Sequence, residues 1–331
     1  MLTGTTIVLV VLSVAAFVWI ILLLTPGRRA ATARRFARSI DLDLPPTLAP
    51  AIGRRLAVRE LAAMGTGLLL GWGSVAMLAA AIDPDDAGLL LAAAFLTFLL
   101  GHAIGNGVTA WWEVTRPVAP TGPRVARATV LTQGDYVAPV ERLGARVLVA
   151  VSVVVALGVL VADDAGWFTG VTIPVFWIAA ALVIPPALLA AHELLAARLV
   201  RRPQPAGSAL DLAWDDAMRS QTLRDMVTVP LAAGAYAPLA VLGALGEQLD
   251  GAWPRSIVFD LVHGALFVLL AALLVAAVIA MALRPQRHFR ERLWPRPVGQ
   301  GLGPSSSGQG VVGQGQNDLA PEQGTVGRAQ S

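Results

Sequence analysis

The sequence predicts an all-α fold: a polytopic transmembrane helical bundle of about seven spans, N-terminus out and C-terminus in. Composition, the length of the apolar runs and the placement of the arginines predict it. Of 331 residues, 56% are hydrophobic and 14% are charged, whereas a soluble domain carries roughly 25% charged residues. The mean hydropathy is +0.65. Crossing a hydrocarbon core of about 30 Å takes roughly 20 helical residues at about 1.5 Å each. Seven runs approach or exceed that length, at 6–24, 61–82, 88–112, 147–162, 171–197, 226–246 and 257–283. The fourth is short and the seventh long, so their tilts differ.

All 25 basic residues are arginine, and they alternate along the chain. Arg28, Arg29, Arg34, Arg35, Arg38, Arg54, Arg55 and Arg59 follow the first run. Arg116, Arg124, Arg127, Arg142 and Arg146 follow the third, Arg198, Arg201, Arg202, Arg219 and Arg224 the fifth, and Arg284, Arg287, Arg290, Arg292 and Arg296 the seventh. The intervening loops are Asp83-Pro84-Asp85-Asp86, Asp163-Asp164 with Trp167, and 247–256 with Arg255 alone. Positive charge collects in cytoplasmic loops, so this alternation orients the bundle. The residues before the first run are uncharged, unlike the basic start of a secretory leader, so that run is expected to be a retained span. The high isoelectric point therefore reflects topology, not nucleic-acid binding. The expected location is the cell membrane, as a multi-pass protein of a bacterial cytoplasmic membrane, with the lipid bilayer as its first partner.

The elements follow in order: an N-terminal transmembrane helix at 1–25, a basic cytoplasmic segment at 26–60 and a first helical hairpin at 61–112. After a cytoplasmic loop at 113–146 come a second hairpin at 147–197, a loop with an amphipathic helix at 198–225 and a third hairpin at 226–284. A basic, then disordered, cytoplasmic tail fills 285–331; from Pro297 on it is rich in Gly, Gln and Ser. In the 198–225 loop, Ser208 and Asp211 form a capping-box pattern, and Leu210, Trp214, Ala217 and Met218 share one face. That helix is expected to lie flat on the inner leaflet with Trp214 at headgroup level, although a partner protein could use the same face.

The hairpins carry signs of a three-fold repeat. Arg55-Leu-Ala-Val-Arg-Glu-Leu61 and Arg142-Leu-Gly-Ala-Arg-Val-Leu148 enter the first two at an offset of 87, with Thr222-Leu-Arg-Asp-Met a worn third copy 80 further on. Arg116-Pro117, Arg202-Pro203 and Arg284-Pro285 close the three at offsets of 86 and 82. Parallel repeats of this kind occur in transporters. The alternative is that spans in an Arg-rich chain simply end in Arg followed by a helix-terminating Pro.

Ionisable groups inside a bilayer are functional candidates because they are costly there. His102, Asn106, Thr109 and Glu113, continued by Arg116, form one polar stripe on the third span, able to bind a substrate or relay protons, with His102 titrating near neutrality. The competing reading is interhelical hydrogen-bond glue, because Gly101-x-x-x-Gly105 and Gly67-x-x-x-Gly71 mark a closely packed hairpin. Asp260 and His263, one turn apart, form a candidate outer dyad, and His192 and Glu193 lie nearer the cytoplasm. Pro185 and Pro186 in the fifth span and Pro230 and Pro238 in the sixth are expected to kink their helices, where a pocket would most readily open.

The chain has no cysteine, and its membrane histidines lie at different depths, so no metal site or cofactor is expected. Catalytic and nucleotide-binding motifs are missing from the sequence. The expected function is a transport-class, permease-like membrane component. The alternative is a noncatalytic scaffold or regulatory subunit with a membrane or cytoplasmic protein partner, and a membrane enzyme ranks third.

Overall fold

The computed structural model describes residues 4–78, 87–116, 131–204, 206–249, 264–266, 268, 272 and 287–294. Every regular element among them is an α-helix, and no strand occurs among them. The helices are α1 (Gly4–Leu23), α2 (Pro26–Ile40), α3 (Ala49–Leu78), α4 (Ala87–Thr115), α5 (Gln133–Tyr136), α6 (Pro139–Asp164), α7 (Val175–Val200), α8 (Ala209–Leu249) and α9 (His288–Leu293). Five of them, α3, α4, α6, α7 and α8, are long and apolar enough to cross a membrane, and the bent pair α1–α2 raises the count to six. The run at 257–283 lies outside the described residues except for 264–266, 268 and 272, which are helical.

The chain turns by 88° between α1 and α2. Thr25 caps the second helix, its hydroxyl accepting from Arg28 N, and Pro26 occupies the first turn, where its missing N–H costs nothing. α2 is amphipathic: Ala33, Phe36, Ala37 and Ile40 are buried, and it ends at Asp41, whose φ of 56° closes the last turn.

α3 and α4 pack backbone to backbone. A side chain at Gly101 would place its Cβ 2.5 Å from Thr66 O, and one at Gly105 would run into Ala62 O. Only glycine permits this approach. On the facing helix, Gly67 and Gly71 make room for Phe98 and Ala94.

The amphipathic helix expected in the 198–225 loop is not a separate element lying flat on the inner leaflet. It is the first half of α8, a 41-residue helix about 60 Å long. Ser208 does cap it, accepting from Asp211 N at 3.1 Å. Trp214, expected at headgroup level, is 3% exposed and donates its indole N–H to Asp43 O at 2.9 Å. The apolar face found protein, not lipid: Trp214, Ala217 and Met218 join Phe36, Ile40, Tyr136 and Phe289 in one core. This core brings together α2, α5, α9 and the arginine-bearing ends of α3, α4, α6 and α7. Asp216, fully buried there, accepts from Tyr136 Oη at 2.9 Å, Gln204 Nε2 at 2.7 Å and Trp294 Nε1 at 2.9 Å.

α8 then continues as the central helix of the spanning layer. Most of the residues in its apolar stretch are buried, against a third or fewer in the other candidate spans. Toward its C-terminus, Val241, Leu245 and Leu249 pack with Ala156, Val159 and Ile178 of α6 and α7. α7 runs through Pro185 and Pro186, and α8 through Pro230 and Pro238, without a break in either helix. Pro185 has no N–H to offer Ala181 O, and Ser152 of α6 supplies the missing donor at 3.1 Å.

Candidate functional site: an arginine-walled cavity

α3 begins about three turns before its apolar stretch, and Arg55 and Arg59 stand one turn apart on its face toward α4 and α8. Arg55 grips Glu113 of α4 with a two-pronged fork, Nε to Oε1 and Nη2 to Oε2, both at 2.7 Å. Arg59 donates to the same carboxylate, to the hydroxyl of Thr222 and to Asp225 Oδ2, the last at 3.0 Å. Thr222 and Asp225 come from α8. Gln221 holds the other oxygen of Asp225 at 2.8 Å. Arg59 is only 4% exposed, and its Nε has no acceptor among the described residues. Three helices are thus tied by one ionic cluster, and at its buried Arg59–Asp225 pair the loss of one partner costs about 3–5 kcal/mol.

Arg202 and Arg219 treat the helix ends alike. Arg202 donates to Glu113 O at 3.0 Å and to Arg116 O at the end of α4. Arg219 donates to Leu199 O and Pro203 O at the end of α7, while its Nε bonds Asp215 at 2.9 Å. Cations at helix C-termini satisfy leftover carbonyls and oppose the helix dipole.

Between these groups lies a cavity of about 670 Å³, with walls from α3, α4, α8 and the end of α7. Six arginines (54, 55, 59, 116, 202 and 219) line it, against two carboxylates, Glu113 and Asp215. Arg54, Arg116 and Arg202 have no carboxylate partner among the described residues. The Arg116 guanidinium lies over the Trp112 ring, 4.9 Å from its centroid. Arg202 loses its proton more readily than an ordinary arginine, first through burial and then through repulsion from Arg219. Six arginines against two carboxylates concentrate positive potential here.

The polar stripe read from the sequence divides at this cavity. Thr109 and Glu113 line it, whereas His102 and Asn106 do not. The Asn106 amide nitrogen lies 3.3 Å from His102 Nδ1, one turn away on the same helix, and Thr109 donates to Asn106 O at 2.8 Å. His192 is buried against Gln133, with 2.8 Å between its Nε2 and the amide nitrogen, and Glu193 pairs with Arg146 at 2.6 Å. Asp260 and His263 lie outside the described residues. Pro185, Pro186 and Pro238 do not line this cavity. Among the described residues no three His, Asp or Glu side chains gather as a metal site.

The sequence assigns Arg55, Arg59, Arg202 and Arg219 to topology and places Thr222 and Asp225 in the third copy of the repeat, without marking any of them as a site. Their signal was present: Arg59 and Asp225 are opposite charges at the very start of two apolar runs, where a lone charge is costly and a pair is not.

The fold and the cavity define a class, a multi-helix membrane protein with a cationic cavity at its arginine-rich end. Compared with known protein families, curated proteins and solved structures, the chain finds no match.

Proposed function

We propose that this chain is a transport-class, permease-like membrane component whose arginine-rich end faces the cytoplasm and whose cavity between α3, α4, α7 and α8 is its inner binding chamber. The observation that carries this reading is the cavity itself: about 670 Å³ of space reached by charged side chains on candidate spans, within the range of about 300–1,000 Å³ typical of ligand sites. Positive charge on the inner side follows the usual topological bias. The seven-span, three-hairpin plan belongs to the same proposal. In its support, Arg59 and Arg146 hold equivalent places in the repeated motif, and each pairs with a glutamate on the other helix of its own hairpin, Glu113 and Glu193.

Reconstitution into liposomes loaded with different anions tests it. At least one anion should cross faster than in protein-free vesicles, and Glu113→Ala should abolish that flux while His102→Ala and Asn106→Ala retain more than half of it. No flux of any anion through correctly inserted protein would defeat the transport reading. The absence of cysteine makes the orientation test clean: a single cysteine placed at Arg54 should react only with reagents that enter the cytoplasm.

The scaffold reading draws on one feature, the protein-built layer of α2, α5, α9 and the first half of α8, which has its own core. Gentle detergent extraction yielding one stoichiometric partner chain would favour it.

A further inference from the structure

The six arginines do not all serve the fold. Glu113 answers Arg55 and shares Arg59 with Asp225, and Asp215 answers Arg219. Two guanidinium groups that line the cavity, Arg54 on α3 and Arg116 on α4, are left with no carboxylate among the described residues, while Arg202, after α7, lines the same cavity but spends two of its nitrogens on Glu113 O and Arg116 O. Arg54 and Arg116 are exposed and hold no element together. Keeping like charges around one space is unfavourable unless an anion joins them.

A single carboxylate would offset one charge and present two oxygens in a plane. A phosphate group offers tetrahedrally arranged oxygens and up to two negative charges, so it can accept from guanidinium groups carried on separate helices. The lining also has an apolar portion. Val58 is 54% exposed and Trp112 is 59% exposed, and both belong to the cavity wall. Those surfaces suit a carbon skeleton attached to the anion, and the cavity holds far more than a bare phosphate ion.

We infer that this cavity binds a phosphate ester, its phosphoryl oxygens held by Arg54 and Arg116, with Arg202 adding positive charge, and its organic portion resting against Trp112 and Val58. A glycerophospholipid headgroup and a soluble phosphomonoester share this chemistry. The inference uses the same cavity as the transport proposal but concerns occupancy alone, so the two fail separately. Flux without phosphate-ester binding would remove this inference, and binding without flux would remove transport.

The test is binding to the purified, delipidated full-length protein in detergent. One arm titrates phosphatidylglycerol and reads bound lipid by native mass spectrometry, with zwitterionic phosphatidylcholine as the comparison. The other titrates glycerol 3-phosphate by calorimetry. Saturable binding is expected in at least one arm: phosphatidylglycerol alone marks a lipid headgroup, glycerol 3-phosphate alone a soluble ligand, and both the shared chemistry. The double variant Arg54→Ala/Arg116→Ala should bind at least tenfold more weakly while melting within a few degrees of the unaltered protein. A salt titration of the unaltered protein provides a second reading, with affinity falling steadily as ionic strength rises. The inference is overturned if neither probe saturates, if phosphatidylcholine binds as well as phosphatidylglycerol, or if binding ignores both the double substitution and salt.

Discussion

The two hairpins α3–α4 and α6–α7 use the same ingredients to different effect. In the first, glycines bring the backbones into direct contact and the ionic cluster of Arg59 with Glu113 and Asp225 is enclosed between three helices. In the second, Gly158 faces open space, and the Arg146–Glu193 pair is exposed, at 54% and 37%. Residue type is shared and energetic weight is not. A glycine or an ion pair counts only to the extent that neighbouring elements enclose it.

The largest break in this comparison should come from the glycines. Gly105→Val forces a branched side chain into the backbone of α3 and is expected to cost about 3 kcal/mol, enough to leave little folded protein after extraction. Gly158→Ala meets no neighbour within 4 Å and should gain about 0.5–1 kcal/mol from helix propensity. Size-exclusion profiles after a heating series compare the two directly. Equal melting of both variants would show that the first hairpin is not held by close approach.

The ion pairs come next. Arg59→Ala leaves Asp225 buried without its cation and should cost about 3–5 kcal/mol, whereas Arg146→Ala should change stability by about 0–1 kcal/mol. Thermal unfolding in detergent measures both. A matched loss would mean that enclosure adds nothing to the first pair.

The smallest effect sharpens the comparison at the entrance to the second hairpin. Burial alone would raise the pKa of Asp135, but hydrogen bonds from the backbone and hydroxyl of Thr132, together with Arg292, outweigh it and hold the carboxyl below its usual value. A depressed folded-state pKa means that these contacts contribute in full above the ordinary carboxylate range and lose their contribution as pH falls through the depressed value. Acid should therefore loosen the α5–α9 contact, seen as earlier proteolysis within α9, and Asp135→Asn should abolish that pH dependence.

Much of the helical class was legible in the sequence because membrane solvation acts on each residue singly: a run such as 88–112 is apolar wherever it packs. The Gly101/Gly105 spacing likewise announced close approach before any partner was known. What could not be read was which helices share a face. Trp214 looks the same facing a lipid headgroup or Asp43 O, and only the fold of α2 against α8 decides. Thr222 and Asp225 belong to the site through residues more than a hundred positions away, so no local spacing links them to Glu113. His102 and Asn106 drew attention as polar groups deep in a span, yet that depth is where they found each other and not the cavity.

Ser152 donating across to the carbonyl that Pro185 leaves unpaired has a mechanical meaning for α6 and α7. Sliding either helix by one turn would strip that oxygen of its donor, and Ser152 is fully buried. The bond therefore favours one register of the pair, by the roughly 1 kcal/mol that a neutral hydrogen bond contributes.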